Sequence, residues 1–143
     1  MLKGIPKIIS PDLLYVLACM GHGDEIVLAD ANFPGESLNG NVIRCEGLEI
    51  TDLLKAILPL FPLDQSVNTP WFMMKPTDSK NYDDQLESSY HHILKEFESD
   101  INQAEKIERF DFYQRASEAF VVVMSGTTKR FGNVILKKGT IFL

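Results

Sequence analysis

The stretch SPDLLYVLACMGHGDEIVLAD, Ser10 to Asp30, decides the fold class. Ser10 is a natural N-cap and Pro11 suits the first helical turn, where its missing N–H would be unpaired anyway. Asp12 then sits at the positive end of the helix dipole. Leu13, Leu14, Leu17 and Met20 recur at helical spacing, and Gly21 is a natural terminator. Immediately afterwards Ile26-Val27-Leu28 is a short apolar run of strand type, within Glu25 to Ala29. The four residues Gly21-His22-Gly23-Asp24 therefore form a tight helix-to-strand connection, and Asp30 closes the strand.

The same alternation continues along the chain. Asn32 to Asn41 is rich in Gly, Pro, Ser and Asn and reads as a loop. Val42 to Arg44 reads as a short strand. Thr51 is the expected cap of a helix through Leu58, which Pro59 and Pro62 stop. Trp71 to Met74 reads as a strand. Tyr82 to Glu98, with spaced Leu86, Tyr90, Ile93, Leu94 and Phe97, suits an amphipathic helix. Lys106 to Arg109 is read as a strand, Asp111 to Ala119 as a helix, Phe120 to Met124 as a buried strand and Val134 to Leu136 as the last strand. Interleaved helices and strands imply an α/β domain, and the 143 residues fit a single one, residues 1–143. No repeat, linker or low-complexity segment interrupts it.

Composition narrows the function classes. The formal net charge is -6, from 20 acidic and 14 basic residues. A phosphate-backbone binder would carry a basic excess, so a nucleic-acid partner is not expected. The basic pairs Lys129-Arg130 and Lys137-Lys138 read as solvated surface. The longest apolar run, Leu13 to Met20, falls far short of the ~20 residues of a membrane helix. The amino terminus lacks a signal-peptide pattern. Cys19 and Cys45 are the only cysteines. They form no Cys-x-x-Cys pair, so a cytoplasmic protein with reduced thiols is expected, with Cys19 a small core residue.

Four positions are candidates for chemistry. His22 lies between two glycines, which leave room for a ligand beside the imidazole, and an imidazole exchanges protons near neutral pH. A capping or solvent-facing histidine fits the local sequence as well. Asp30, at the end of a strand, suits a cleft carboxylate or an Asx-turn. Arg109 offers planar, forked donors for hydroxyl pairs, or a surface salt bridge. The Asn133 amide donates and accepts at once, as sugar hydroxyls require, and also fits a plain turn. The adjacent His91 and His92 point about 100° apart on a helix and cannot form a single-face metal pair. No dinucleotide, phosphate-cradling or nucleophile-elbow motif is present.

Several blocks taken together resemble the ribose pyranase and L-fucose mutarotase (RbsD/FucU) family. They are Gly21-His22-Gly23-Asp24-Glu25-Ile26, Ala29-Asp30-Ala31-Asn32-Phe33-Pro34, Ile43-Arg44, Ile107 to Tyr113, and Phe131-Gly132-Asn133. The resemblance runs from Leu2 to Gly139. It implies a mixed sheet flanked by helices in one compact domain. It also implies mutarotation without a cofactor or metal, and a homodecamer with sites at subunit contacts. His22 is the implied proton donor, with Asp30, Arg109, Phe131, Gly132 and Asn133 binding the sugar. The block after the histidine and Arg109 resemble the fucose branch, so L-fucose is the expected substrate. D-ribose pyranase activity and non-catalytic sugar binding are the rivals. One departure stands out: the family segment usually reads Tyr-Gly-Asn, and Phe131 here lacks the phenolic hydroxyl.

Overall fold

A computed structural model describes residues 1–143. The elements in chain order are α1 (Pro11–Cys19), β1 (Glu25–Ala29), α2 (Gly35–Leu38), β2 (Val42–Cys45), α3 (Ile50–Ile57), β3 (Trp71–Met74), α4 (Leu86–Lys95), β4 (Glu105–Ile107), α5 (Arg109–Glu118), β5 (Val121–Ser125) and β6 (Val134–Lys137). The six strands form one sheet in the order β2-β5-β1-β6-β3-β4. β1, β2 and β5 run parallel, as do β3 and β4, while β6 is antiparallel to both β1 and β3. Five strands thus share one direction and β6 alone is reversed.

Strand periodicity explains the three layers. Ile26, Leu28, Val121, Val123, Val134 and Leu136 face one side, where α1, α3 and α4 cover them. Val27, Ala29, Val122, Met124 and Ile135 face the other, under α2 and α5. Side chains alternate across a strand, so a sheet buried on both faces needs unbroken apolar runs, which β1, β5 and β6 have. Arg115 braces α5 against the start of β1. Its guanidinium makes two hydrogen bonds to Glu25, of 2.8 and 2.7 Å, and lies 3.7 Å from the Phe72 ring centroid.

Several expectations shift by a turn or a cap. Cys19 is exposed. The inward face of α1 is Leu13, Val16 and Leu17, followed by Met20, and Cys19 lies off that stripe. The cap of α3 is Glu49, whose carboxylate pairs with the N3 backbone while Asp52 reaches back, so Thr51 is already inside the helix. The Asn32 to Asn41 segment contains the one-turn α2. The helix expected over Tyr82 to Glu98 is confined to Leu86–Lys95. β4 ends at Ile107, and Arg109 opens α5 behind its Glu108 cap. His91 is half-buried: its Nε2 lies 2.9 Å from the Ile101 carbonyl oxygen, and its ring sits 5.6 Å from that of Trp71. No helix is long and apolar enough to cross a membrane.

Candidate active site

The carboxyl ends of the co-directional strands and the start of β6 meet at one end of the sheet. That is where crevices form in open α/β folds. Asp30 follows β1, and its backbone N–H donates to Asn133 Oδ1 at 2.7 Å. Asn133, 2% exposed, precedes β6 directly, so the antiparallel pairing of β1 and β6 brings the two residues together. One Asp30 oxygen accepts from the Asn32 N–H at 2.8 Å, the Asx-turn of the local reading. Burial pushes the Asp30 carboxyl above its ordinary value. Hydrogen bonds from Asn32, Asn133 and Phe33 only partly offset that rise.

A cavity of about 330 Å³ opens here, bordered by Asp30, Phe33, Met74, Arg109, Tyr113, Phe131 and Asn133 among others. Phe131 adopts φ +58, in the left-handed region that non-glycine residues avoid. Tyr82 packs edge-on at 6.0 Å from its ring, and the Arg130 guanidinium lies 4.8 Å from the ring centroid. Gly132 is buried behind the loop and does not border the cavity. A Cβ there would come within 2.9 Å of the Lys129 carbonyl and 3.2 Å of the Tyr90 hydroxyl. Tyr90, its phenol raised by burial, donates to the Gly132 carbonyl at 2.9 Å and ties the loop to α4. The Lys129-Arg130 pair is engaged, with Lys129 on Asp83 at 3.2 Å and Arg130 on Asp78 at 2.9 Å.

His22 lies elsewhere. It precedes β1 while Asp30 follows it. Five strand residues at roughly 3.3 Å each separate the two by roughly 16 Å. The imidazole sits on a turn held by the Gly23 N–H on the Lys138 carbonyl, 2.8 Å, and Gly23 takes φ +87. Its Nε2 is 3.2 Å from Asp64 Oδ1, and the two side chains are 52% and 4% exposed. Desolvation raises the Asp64 carboxyl. The Ser66 hydroxyl and N–H, at 2.7 and 3.0 Å, together with His22 outweigh it and hold the group below the usual carboxylate range. An ionised carboxylate only accepts, so His22 Nε2 carries the proton of that bond. Nδ1 is then the nitrogen left to exchange a proton with a ligand.

Within one chain, then, Asp30, Arg109, Phe131 and Asn133 converge on a cavity, Gly132 backs it, and His22 stands at the opposite end of the sheet. Asp64 and Tyr113 were missed from sequence. Asp64 lies in a Pro-interrupted segment 42 residues from His22, with no local motif to mark it. Tyr113 had a signal, because its i+4 spacing from Arg109 puts both on one helix face, but only once Arg109 is placed in α5.

A sequence model of the RbsD / FucU transport protein family matches residues 3–141. An L-fucose mutarotase of Haemophilus influenzae (strain 86-028NP) is 49% identical over 139 residues, covering 97% of this chain and 96% of that protein. The crystal structure of the fucose mutarotase of Streptococcus pneumoniae in complex with L-fucose superposes with a TM-score of 0.91 at 43% identity, covering 99% of this chain and all of that one. The FucU protein of Bifidobacterium longum gives a TM-score of 0.93 at 42% identity, covering 98% of this chain and all of its own.

Proposed function

The chain belongs to the RbsD / FucU family, and from that membership we propose that it is a carbohydrate isomerase that interconverts the α and β anomers of L-fucose. The observation that carries this reading is the set of groups around the cavity. A carboxylate, a guanidinium and an amide serve the hydroxyls, and Phe33 and Met74 offer apolar wall to the methyl group of a 6-deoxy sugar.

The chemistry matches these groups. Ring opening takes a proton from the anomeric hydroxyl and returns one to the ring oxygen. The open aldehyde then turns about the C1–C2 bond and closes on its other face. Only protons move, and none is gained or lost overall. Asp30, its carboxyl raised by burial, is suited to accept the anomeric proton. His22, its Nε2–H held by Asp64, gives the ring oxygen a proton from Nδ1 as the doubly protonated imidazolium and takes one back on ring closure. General acid–base catalysis of this kind contributes roughly 10²–10⁴-fold. Arg109, Asn133 and Phe131 hold the hydroxyl pattern, with Gly132 backing their loop through its bond to Tyr90.

Two groups roughly 16 Å apart cannot serve one pyranose, so the site takes His22 from one copy and Asp30 from the next. Such a contact is head-to-tail, and a head-to-tail contact whose rotation closes generates a ring. The assembly we propose is the ten-copy ring that the family resemblance implies. Both ends of the sheet expose apolar side chains for it: Phe110 beside Arg109, and Ile141, Phe142 and Leu143 beyond the strand that holds the His22 turn. We place the protein in the cytoplasm, where its two unpaired thiols, one of them exposed, stay reduced.

Magnetisation-exchange NMR between anomeric proton signals tests the activity. Exchange enhanced for L-fucose is expected. Enhancement for D-ribose alone would reassign the substrate. L-fucose binding with no enhanced exchange would make the chain a binding protein, the outcome favoured if the missing hydroxyl at Phe131 matters for the proton step.

A further inference from the structure

Three of the four arginines are spent on carboxylates: Arg44 on Glu36 and Glu46, Arg115 on Glu25, and Arg130 on Asp78. Arg109 has no carboxylate partner. Its one hydrogen bond runs from Nε to the Tyr113 hydroxyl oxygen at 3.1 Å, across one turn of α5. The Arg109 guanidinium carbon lies 5.3 Å from the Tyr113 ring centroid and 5.5 Å from that of Phe110. Tyr113 is itself fixed: its ring meets Phe33 edge-on at 5.5 Å, and Phe33, 6% exposed, meets buried Phe112 at 5.8 Å. A continuous line of ring contacts therefore runs from the core to a cation at the cavity edge.

We propose that Tyr113 is a positioning residue that aims Arg109 at two neighbouring hydroxyls of the sugar. This rests on the L-fucose reading of the cavity. A guanidinium offers five N–H donors in a rigid plane. Tyr113 occupies the one on Nε and fixes the plane, so the two terminal nitrogens face outward as a parallel pair. A parallel pair of donors fits a vicinal diol, as it fits the two oxygens of a carboxylate. The absence of a carboxylate partner leaves the pair free for that use. Tyr113 acts through Arg109, and its removal acts on binding and leaves the proton step intact.

The test is Tyr113→Phe in the full chain, which keeps the ring and its packing on Phe33. KM for L-fucose in the NMR exchange assay should rise about five- to tenfold, the loss expected of one typical hydrogen bond, with kcat within about twofold. L-fucose analogues lacking either member of one hydroxyl pair should bind the wild type less well than L-fucose, and Tyr113→Phe should shrink that difference. A second readout needs no sugar: the Arg109 Nε–H resonance should be protected from solvent exchange in the wild type and exposed in the variant. An unchanged KM, a fall in kcat at constant KM, or an Nε–H equally exposed in both proteins would each overturn the proposal. A protected Nε–H in a wild type that does not act on L-fucose would instead refute the substrate reading and leave the Arg109–Tyr113 geometry standing.

Discussion

Mixing His22→Ala chains with Asp30→Asn chains should restore activity that neither has alone. Each substitution removes one group of the proposed proton transfer and should leave the fold in place. The His22 side chain is 52% exposed and makes one side-chain hydrogen bond, to Asp64. Asn at 30 keeps an oxygen for the Asn32 N–H. The strand between the two positions fixes the size of the effect. If a site takes its imidazole from one copy and its carboxylate from the next, the intact sites are those where an Asp30→Asn chain supplies the imidazole and a His22→Ala chain the carboxylate. In a random equimolar assembly that is about one site in four, and the yield follows f(1 − f) as the ratio is varied. A site within one chain gives no intact copies at any ratio. The assay is anomer exchange on L-fucose after co-refolding, with native mass spectrometry to show that assemblies are mixed. Mixed assemblies with no activity above the separate variants, at every ratio, would refute the shared site.

Three further substitutions probe the groups around it. Asp64→Asn keeps an acceptor for Ser66 but removes the charge beside His22. At the His22–Asp64 distance, half in solvent, kcat should fall about tenfold with KM little changed. Because the folded Asp64 carboxyl is depressed, its stabilisation is full above the unfolded value and lost as pH falls through the folded one. The Tm gap between wild type and Asp64→Asn should therefore narrow below about pH 4, and a gap that widens there would contradict the sign. Asp30 is the opposite case: its carboxyl is raised, so ionising it opposes folding as pH climbs above the unfolded value. Asp30→Asn should melt above wild type at pH 7 and level with it below about pH 4, while losing exchange activity; equal Tm at pH 7 would show no burden there. Gly132→Ala places a Cβ against the Lys129 carbonyl and should cost about 1–3 kcal/mol along with L-fucose affinity. Wild-type Tm and affinity would show that the loop yields freely.

The fold was legible where one signal ruled alone. Ser10-Pro11 and the apolar runs of β1, β5 and β6 settle α1 and the doubly covered sheet, because capping and two-face burial each demand specific residue types. Boundaries failed where two signals competed. Thr51 looks like a cap, yet Glu49 and Asp52 satisfy the backbone reciprocally and start α3 earlier. Lys106 to Arg109 has strand-like spacing, yet Glu108 accepts from the Phe110 N–H at 2.8 Å and turns Arg109 into the first residue of α5. That shift matters for the site, since it is the helix that brings Tyr113 to Arg109. Asp64 was invisible because its role is purely tertiary: a carboxylate in an irregular segment gains meaning only when β6 carries the Gly23 turn past it. The separation of His22 from Asp30 was readable in principle, because one predicted strand lies between them. The resemblance implied both in one site at a contact between copies, and the strand's length supplies a physical reason for that sharing.

The local conflicts of this sequence gather at one end of the sheet. Asp30 is a carboxyl whose burial disfavours its ionised form, Phe131 sits at φ +58 where an aromatic side chain is strained, and Arg109 carries a charge with no carboxylate to meet it. At the other end His22 and Asp64 are mutually satisfied, and Ser66 completes the carboxylate's bonding. A chain folded only for stability would remove the first three: asparagine at 30, glycine at 131, a carboxylate near 109. In the proposed reading a sugar meets two of them, its anomeric hydroxyl sharing a proton with Asp30 and its diol occupying Arg109, while its apolar face covers the Phe131 ring. The satisfied imidazole end needs no ligand to be stable, which suits a group offered to a neighbour's cavity. In the proposed reading the two ends divide the work: one copy holds the sugar, and the next presents an imidazole already oriented by Asp64.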